Sequence, residues 1–141
     1  MARARRYKLA DTAQQVVGGF LLAGPFVVTE EVWVLAENMT WWHALVTVVV
    51  VFGIGYGALY EADDDRDPDR EAEFGGVPVR FLSLIAVSYG SVAILALTLT
   101  APDVFVQEEA TTAYRAAVTV RMVCVGAIFS VVGAATADSL L

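Results

Sequence analysis

Apolar residues fall into four long runs, at 12–36, 41–60, 81–101 and 114–137. Each is close to the roughly 20 residues that carry a helix across a hydrocarbon core about 30 Å thick. The run at 41–60 holds no fixed charge, only His43, and the run at 81–101 is uncharged. Glu30 and Glu31 interrupt the first run, and Arg121 interrupts the fourth. β-branched tracts such as Val46–Phe52 do not alternate with polar residues. An open strand in lipid leaves backbone groups unpaired, so these tracts too read as helix. The pattern predicts an all-α polytopic membrane protein with four transmembrane helices. Their connections are short, which predicts an up-down antiparallel bundle forming a single transmembrane domain over 1–141.

The first run is too long and too acidic for a signal peptide. The stretch 61–78, with DDDRDPDREAE at its centre, reads as a solvated acidic loop rather than a domain. Positive charge sets orientation. Arg3, Arg5, Arg6 and Lys8 precede the first run, and Arg66, Arg70 and Arg80 lie in or beside the second connection. The first connection has no base and the third has only Arg115 at its far edge. Both termini and the acidic loop are therefore expected in the cytoplasm, in a multi-pass protein of the cell membrane. Trp33, Trp41 and Trp42 are then expected as an aromatic belt at the outer interface.

Composition narrows the class. The chain is 57% hydrophobic with a mean hydropathy of +0.62, well beyond soluble globular chains. Sixteen acids against nine bases give a net charge of −7, which argues against a nucleic-acid partner. The acidic balance fits a salt-rich, halophilic and archaeal cytoplasm, where screening reaches only about 3 Å at molar salt. For Asp63–Asp65 a divalent-cation site is the alternative, but the run lacks the glycine and closing glutamate of a calcium loop. Cys124 is the single cysteine, so an intrachain disulfide is excluded. The sequence carries no nucleophilic triad, phosphate-binding loop or pair of haem ligands. Its one lysine precedes the first run, which excludes a retinal Schiff base. The reading is a non-enzyme without cofactor or metal.

Charges inside the membrane are the informative residues, since each costs roughly 2.5–3.5 kcal/mol at mid-helix. Glu31 falls roughly 8 Å, and Arg121 roughly 10 Å, inside the outer end of its run at 1.5 Å per residue. Arg121 is therefore expected to pair with Glu31 or Glu30 and join the first and fourth helices. Neighbouring helical residues point about 100° apart, so one glutamate is left over as a candidate ion or proton site. The alternative is a purely structural ion pair with a protonated partner. Pro25, mid-run, predicts a kink.

Small residues supply a second set of signals. Gly53 and Gly57 form a GxxxG pair, and Gly126, Ser130 and Ala134 recur at intervals of four. Both patterns suit close packing within the chain or a seam between copies of a homo-oligomer. Ser88, Ser91 and Thr98 lie roughly on one stripe, which could wet a pore on a symmetry axis. His43 sits beside Trp41 and Trp42, where it could sense pH or merely tolerate the headgroup zone.

The segment GPFVVTEEVW carries Pro25, Thr29, Glu31 and Trp33. It resembles a P-x-x-x-T-x-E-x-W run in an early helix of a family of uncharacterised small integral membrane proteins of haloarchaea and bacteria. The resemblance implies that Glu31 rather than Glu30 has the shared role, and it implies no activity. Two readings follow. In the first, the chain forms a homo-oligomeric channel or transporter for ions or protons, using Glu30, Glu31 and Arg121. In the second, it is a non-transporting structural or accessory subunit whose buried Glu–Arg pair fixes helix packing. In either, the lipid bilayer is its surrounding partner.

Overall fold

A computed structural model describes residues 9–61 and 73–140. The basic residues Arg3–Lys8, Arg66 and Arg70 and the acidic run Asp63–Asp65 lie outside the described residues. Six helices follow in order: α1 (Leu9–Val27), α2 (Glu30–Asn38), α3 (Trp41–Tyr56), α4 (Val79–Thr98), α5 (Ala101–Phe105) and α6 (Thr112–Leu140). A π-helical turn, Gly57–Glu61, prolongs α3. A two-residue hairpin, β1 (Glu73–Phe74) with β2 (Val77–Pro78), leads into α4. Its turn residues Gly75 (φ 62°) and Gly76 (φ 83°) both take left-handed backbone. A tight primed turn requires that conformation, and glycine adopts it without strain. The predicted loop 61–78 therefore ends in structure.

Three helices are long and apolar enough to cross a membrane: Trp41–Glu61, Val79–Thr98 and Thr112–Leu140. The bent pair α1 and α2 passes the same test of length and composition only when taken together, as a broken span or a re-entrant loop. The expected single helix over 12–36 is thus broken, with an angle of 81° between its halves. Pro25 cannot donate to Leu21, which weakens the final turn of α1. Thr29 then leaves the helical region (φ −103°, ψ 138°). The kink lies a turn beyond the proline, where side chains replace the lost ladder. The Thr29 hydroxyl donates to Phe26 O at 3.0 Å, and Trp33 Nε1 donates to Val27 O at 2.9 Å. On its own α1 spans roughly 28 Å at 1.5 Å per residue.

The end where α1 begins and α6 ends is called basal here; the end carrying α2 and α5 is apical. α6 is the central helix. Half of its apolar window is buried inside the protein, against 22% for α3 and 28% for α4. Outward positions such as Leu21, Val49 and Leu97 are exposed and apolar, as expected of a surface bathed in lipid. An apical core gathers Val27, Trp33, Val92 and Met122. A basal core gathers Val51, Leu59, Leu84 and Val131.

At the level of the basal core α1 and α6 cross on glycine. A Cβ on Gly18 would run into Gly133 O, and one on Gly133 into Gly18 O. Nearby, Ser130 Oγ lies 2.9 Å from Ser91 Oγ and donates to Gly19 O at 3.1 Å. Gly126 packs against Val92, and Ser130 and Ala134 are fully buried. The Gly126–Ser130–Ala134 series is therefore consumed within the chain and cannot line a seam between copies. Gly53 and Gly57 do the reverse: a Cβ at either meets open space, whereas Gly55 between them packs on Leu84 and Val131.

Candidate functional site

Arg121 is where the expected site should lie. Its Nε donates to Ala36 O at 2.9 Å, and its guanidinium carbon sits 5.2 Å from the Trp41 ring centroid. Ala36 belongs to the last turn of α2, at the negative end of the helix dipole, and its carbonyl also accepts from Met39 N–H at 3.3 Å. A buried cation is well placed there, and the ring face supplies a second attraction.

Glu30 and Glu31 occupy the first turn of the same helix and are exposed. Acids are favoured at that positive end. Among the described residues, no ion pair joins Arg121 to either glutamate. The expected pairing is corrected, and the geometry of α2 explains why. Ala36 lies roughly 8 Å further along the helix axis than Glu31. The glutamates instead border an open recess with Val34 and Leu35 on the outer side of α2.

Other expected positions also move. Trp33 is 1% exposed and stacks on Phe105, so it is a core residue and not an interfacial one. Its ring is needed to close the bend. Trp41 and Trp42 are exposed at 56% and 69%. The serine stripe does not form: Ser88 donates to Leu84 O and Ser91 to Val87 O, while Thr98 is exposed near the end of α4. His43 caps α3, where its Nδ1 accepts from Thr40 N–H at 3.1 Å. Among the described residues, no three His, Cys, Asp or Glu side chains are grouped to hold a metal.

The densest polar cluster lies at the basal end and was not legible as a site. Arg80, at the start of α4, is 1% exposed, and Asp138, in the last turn of α6, is 2% exposed. Arg80 Nη1 reaches Asp138 Oδ1 at 2.7 Å, and Nη2 reaches Asp11 Oδ2 of α1 at 3.3 Å. Gln15 Nε2 donates to Asp138 Oδ2 at 3.1 Å and to Arg80 O at 3.3 Å. Ser83 Oγ donates to Gln15 Oε1 at 2.7 Å. Every arm of the Gln15 amide is used, so its orientation is set by the network. Buried charge is tolerated only when paired and hydrogen-bonded in this way.

Arg80 and Asp138 lie one residue outside the apolar runs 81–101 and 114–137. The available signal was periodicity. Arg80, Leu84 and Ser88 share one face of α4, and Val131, Ala134 and Asp138 share one face of α6, all of them buried.

Three membrane-length helices, a bent apolar helix pair, and interior charges met by fixed partners define a polytopic helical membrane protein. The chain belongs to the integral membrane protein family DUF2391, whose model matches residues 2–141. Neither the curated proteins nor the solved structures contain a match.

Proposed function

We propose that the protein is a non-transporting structural or accessory subunit of the membrane. The observation that carries this reading is how its two transport-like features are spent. A broken helix can offer backbone carbonyls to an ion, yet here Phe26 O and Val27 O are taken by Thr29 and Trp33. An intramembrane arginine can neutralise a substrate, yet Arg121 is held by Ala36 O and the Trp41 ring. The basal half of the bundle is packed backbone to backbone at Gly18 and Gly133, which leaves little room for a path within one chain. In this reading the basal end, adjoining the arginine-rich segment before α1, faces the cytoplasm.

The homo-oligomeric channel or transporter keeps one supporting observation, the outward Gly53–Gly57 face of α3. It would place the path between copies, with Glu30 and Glu31 at its apical mouth. Liposome flux separates the two. Reconstituted protein, monitored with a pH-sensitive dye under a potassium gradient, is expected to match empty vesicles. Proton or cation flux that Glu31→Gln abolishes would overturn the structural reading.

A further inference from the structure

We propose that the apical cleft between the end of α4, α5 and the first turns of α6 holds one membrane phospholipid, with its phosphate on Arg115. The cleft encloses about 430 Å³, within the roughly 300–1,000 Å³ typical of small-molecule sites. Leu97, Ala116 and Val120 form its apolar wall, and Thr100, Thr112 and Arg115 supply polar groups.

Arg115 is the anchor. Its Nη1 contacts Asp103 at 3.3 Å, and Nη2 donates to Gln107 O at 3.1 Å. These contacts hold the guanidinium against the α5 segment. The Nε–H is buried and has no acceptor, an arrangement that native proteins rarely leave standing. The hydroxyls of Thr100 and Thr112 make no hydrogen bond among the described residues. The hydroxyls of Thr100 and Thr112 and the guanidinium of Arg115, whose two Nη groups each carry a second N–H, thus border one cavity, while the Nε–H is covered by protein. A phosphodiester presents oxygens enough for all of them, and arginine suits phosphate geometry.

The backbone points the same way. Thr100 takes left-handed backbone at φ 53°, which is costly for a β-branched residue. Its carbonyl accepts from Asp103 N–H and Val104 N–H, so the strain turns α4 into α5 and forms one side of the cleft. Such strain persists where the surrounding structure needs the shape.

Depth and charge select the occupant. The polar groups lie near the end of α4 and the start of α6, at headgroup level. Leu97 and Val120 are 67% and 49% exposed, and they continue the wall along membrane-spanning helices into the acyl region. Asp103 already offsets the charge of Arg115, which weakens attraction for a free anion in water. A phosphate delivered within the bilayer, with its chains along the apolar wall, needs no such attraction.

The test is native mass spectrometry of the delipidated full chain in detergent, titrated with phosphatidylglycerol, with diacylglycerol of the same chains, and with inorganic phosphate as competitor. Wild type is expected to bind one phosphatidylglycerol, to ignore diacylglycerol, and to keep the lipid in excess phosphate. Arg115→Gln is expected to weaken binding about tenfold, the loss of one charge-assisted contact. Ala116→Trp, at an exposed position, fills the cleft without touching the guanidinium and is expected to weaken it as much. The Ala116→Trp variant should keep the wild-type unfolding midpoint. Equal binding of diacylglycerol, displacement by inorganic phosphate, undiminished binding by the Ala116→Trp variant, or a dimer that the same substitution dissolves would each overturn the proposal.

Discussion

Removing Asp138 is the most direct probe of what holds the bundle together. In Asp138→Ala, Arg80 loses its 2.7 Å partner while staying 1% exposed. Stranding one member of a buried pair costs about 3–5 kcal/mol in water-soluble proteins. Two features pull the value down. Asp11 still holds Nη2 at 3.3 Å, with a side chain 21% exposed, and Gln15 keeps Arg80 O as an acceptor. In addition, polar contacts between membrane helices average only about 0.6 kcal/mol each, because the unfolded helices find other partners. The expectation is a loss of about 3 kcal/mol, read by reversible SDS unfolding of detergent-purified protein. Arg80→Met should cost a similar amount. The double variant Arg80→Met/Asp138→Leu should cost less than either single change, with a coupling of at least about 1.5 kcal/mol. A loss below about 1 kcal/mol for Asp138→Ala, or additive singles, would refute the clamp.

Further outcomes follow from the packing. Gly18→Ala should cost about 1–3 kcal/mol or prevent folding, as overpacking does, because the new methyl meets the Gly133 carbonyl. Gly53→Ala should instead be neutral or gain up to about 1 kcal/mol from helix propensity; a loss in the same titration would mean that another copy covers this face. Arg121→Leu should destabilise by about 1.5–3 kcal/mol, the worth of a charged hydrogen bond, and Glu31→Gln should lie within about 0.5 kcal/mol of wild type. Their double variant should be additive, and a rescue of Arg121→Leu by Glu31→Gln would restore the ion pair that the structure replaces.

The membrane class and the helical fold were legible because runs of apolar residues of membrane length admit few other readings. The break in the first run was only half legible. Pro25 marks a weakened ladder, but the angle depends on Thr29 and Trp33 finding carbonyls behind them, a tertiary outcome. Arg121 was expected to pair with Glu31 or Glu30, whereas its partner in the first run is the Ala36 carbonyl. Equal depth suggested Glu31, whereas the folded-over α2 swings its C-terminal end onto α6. The basal clamp was missed because hydropathy treats a charge beside a run as solvent-facing. Only the phase of Arg80 and Asp138 relative to buried neighbours distinguishes them from a flank.

The polar residues of α6 give the arrangement its logic. In lipid, helices have no hydrophobic drive toward one another, so close packing and polar contacts must fix their register. Arg121, Ser130 and Asp138 lie at three heights along α6, roughly 25 Å from first to last at 1.5 Å per residue. At 100° per residue, Ser130 points roughly 180° away from Arg121, and Asp138 roughly 80° from Ser130. The partners follow those directions: Arg121 meets α2, Ser130 meets α1 and α4, and Asp138 meets α4 and α1. Two anchors on one side and one on the other fix both translation and rotation of the central helix. The bend between α1 and α2 then has a structural purpose. Only a helix folded across the apical end can bring the carbonyl end of α2 to Arg121, on the side of α6 that α1 and α4 leave open.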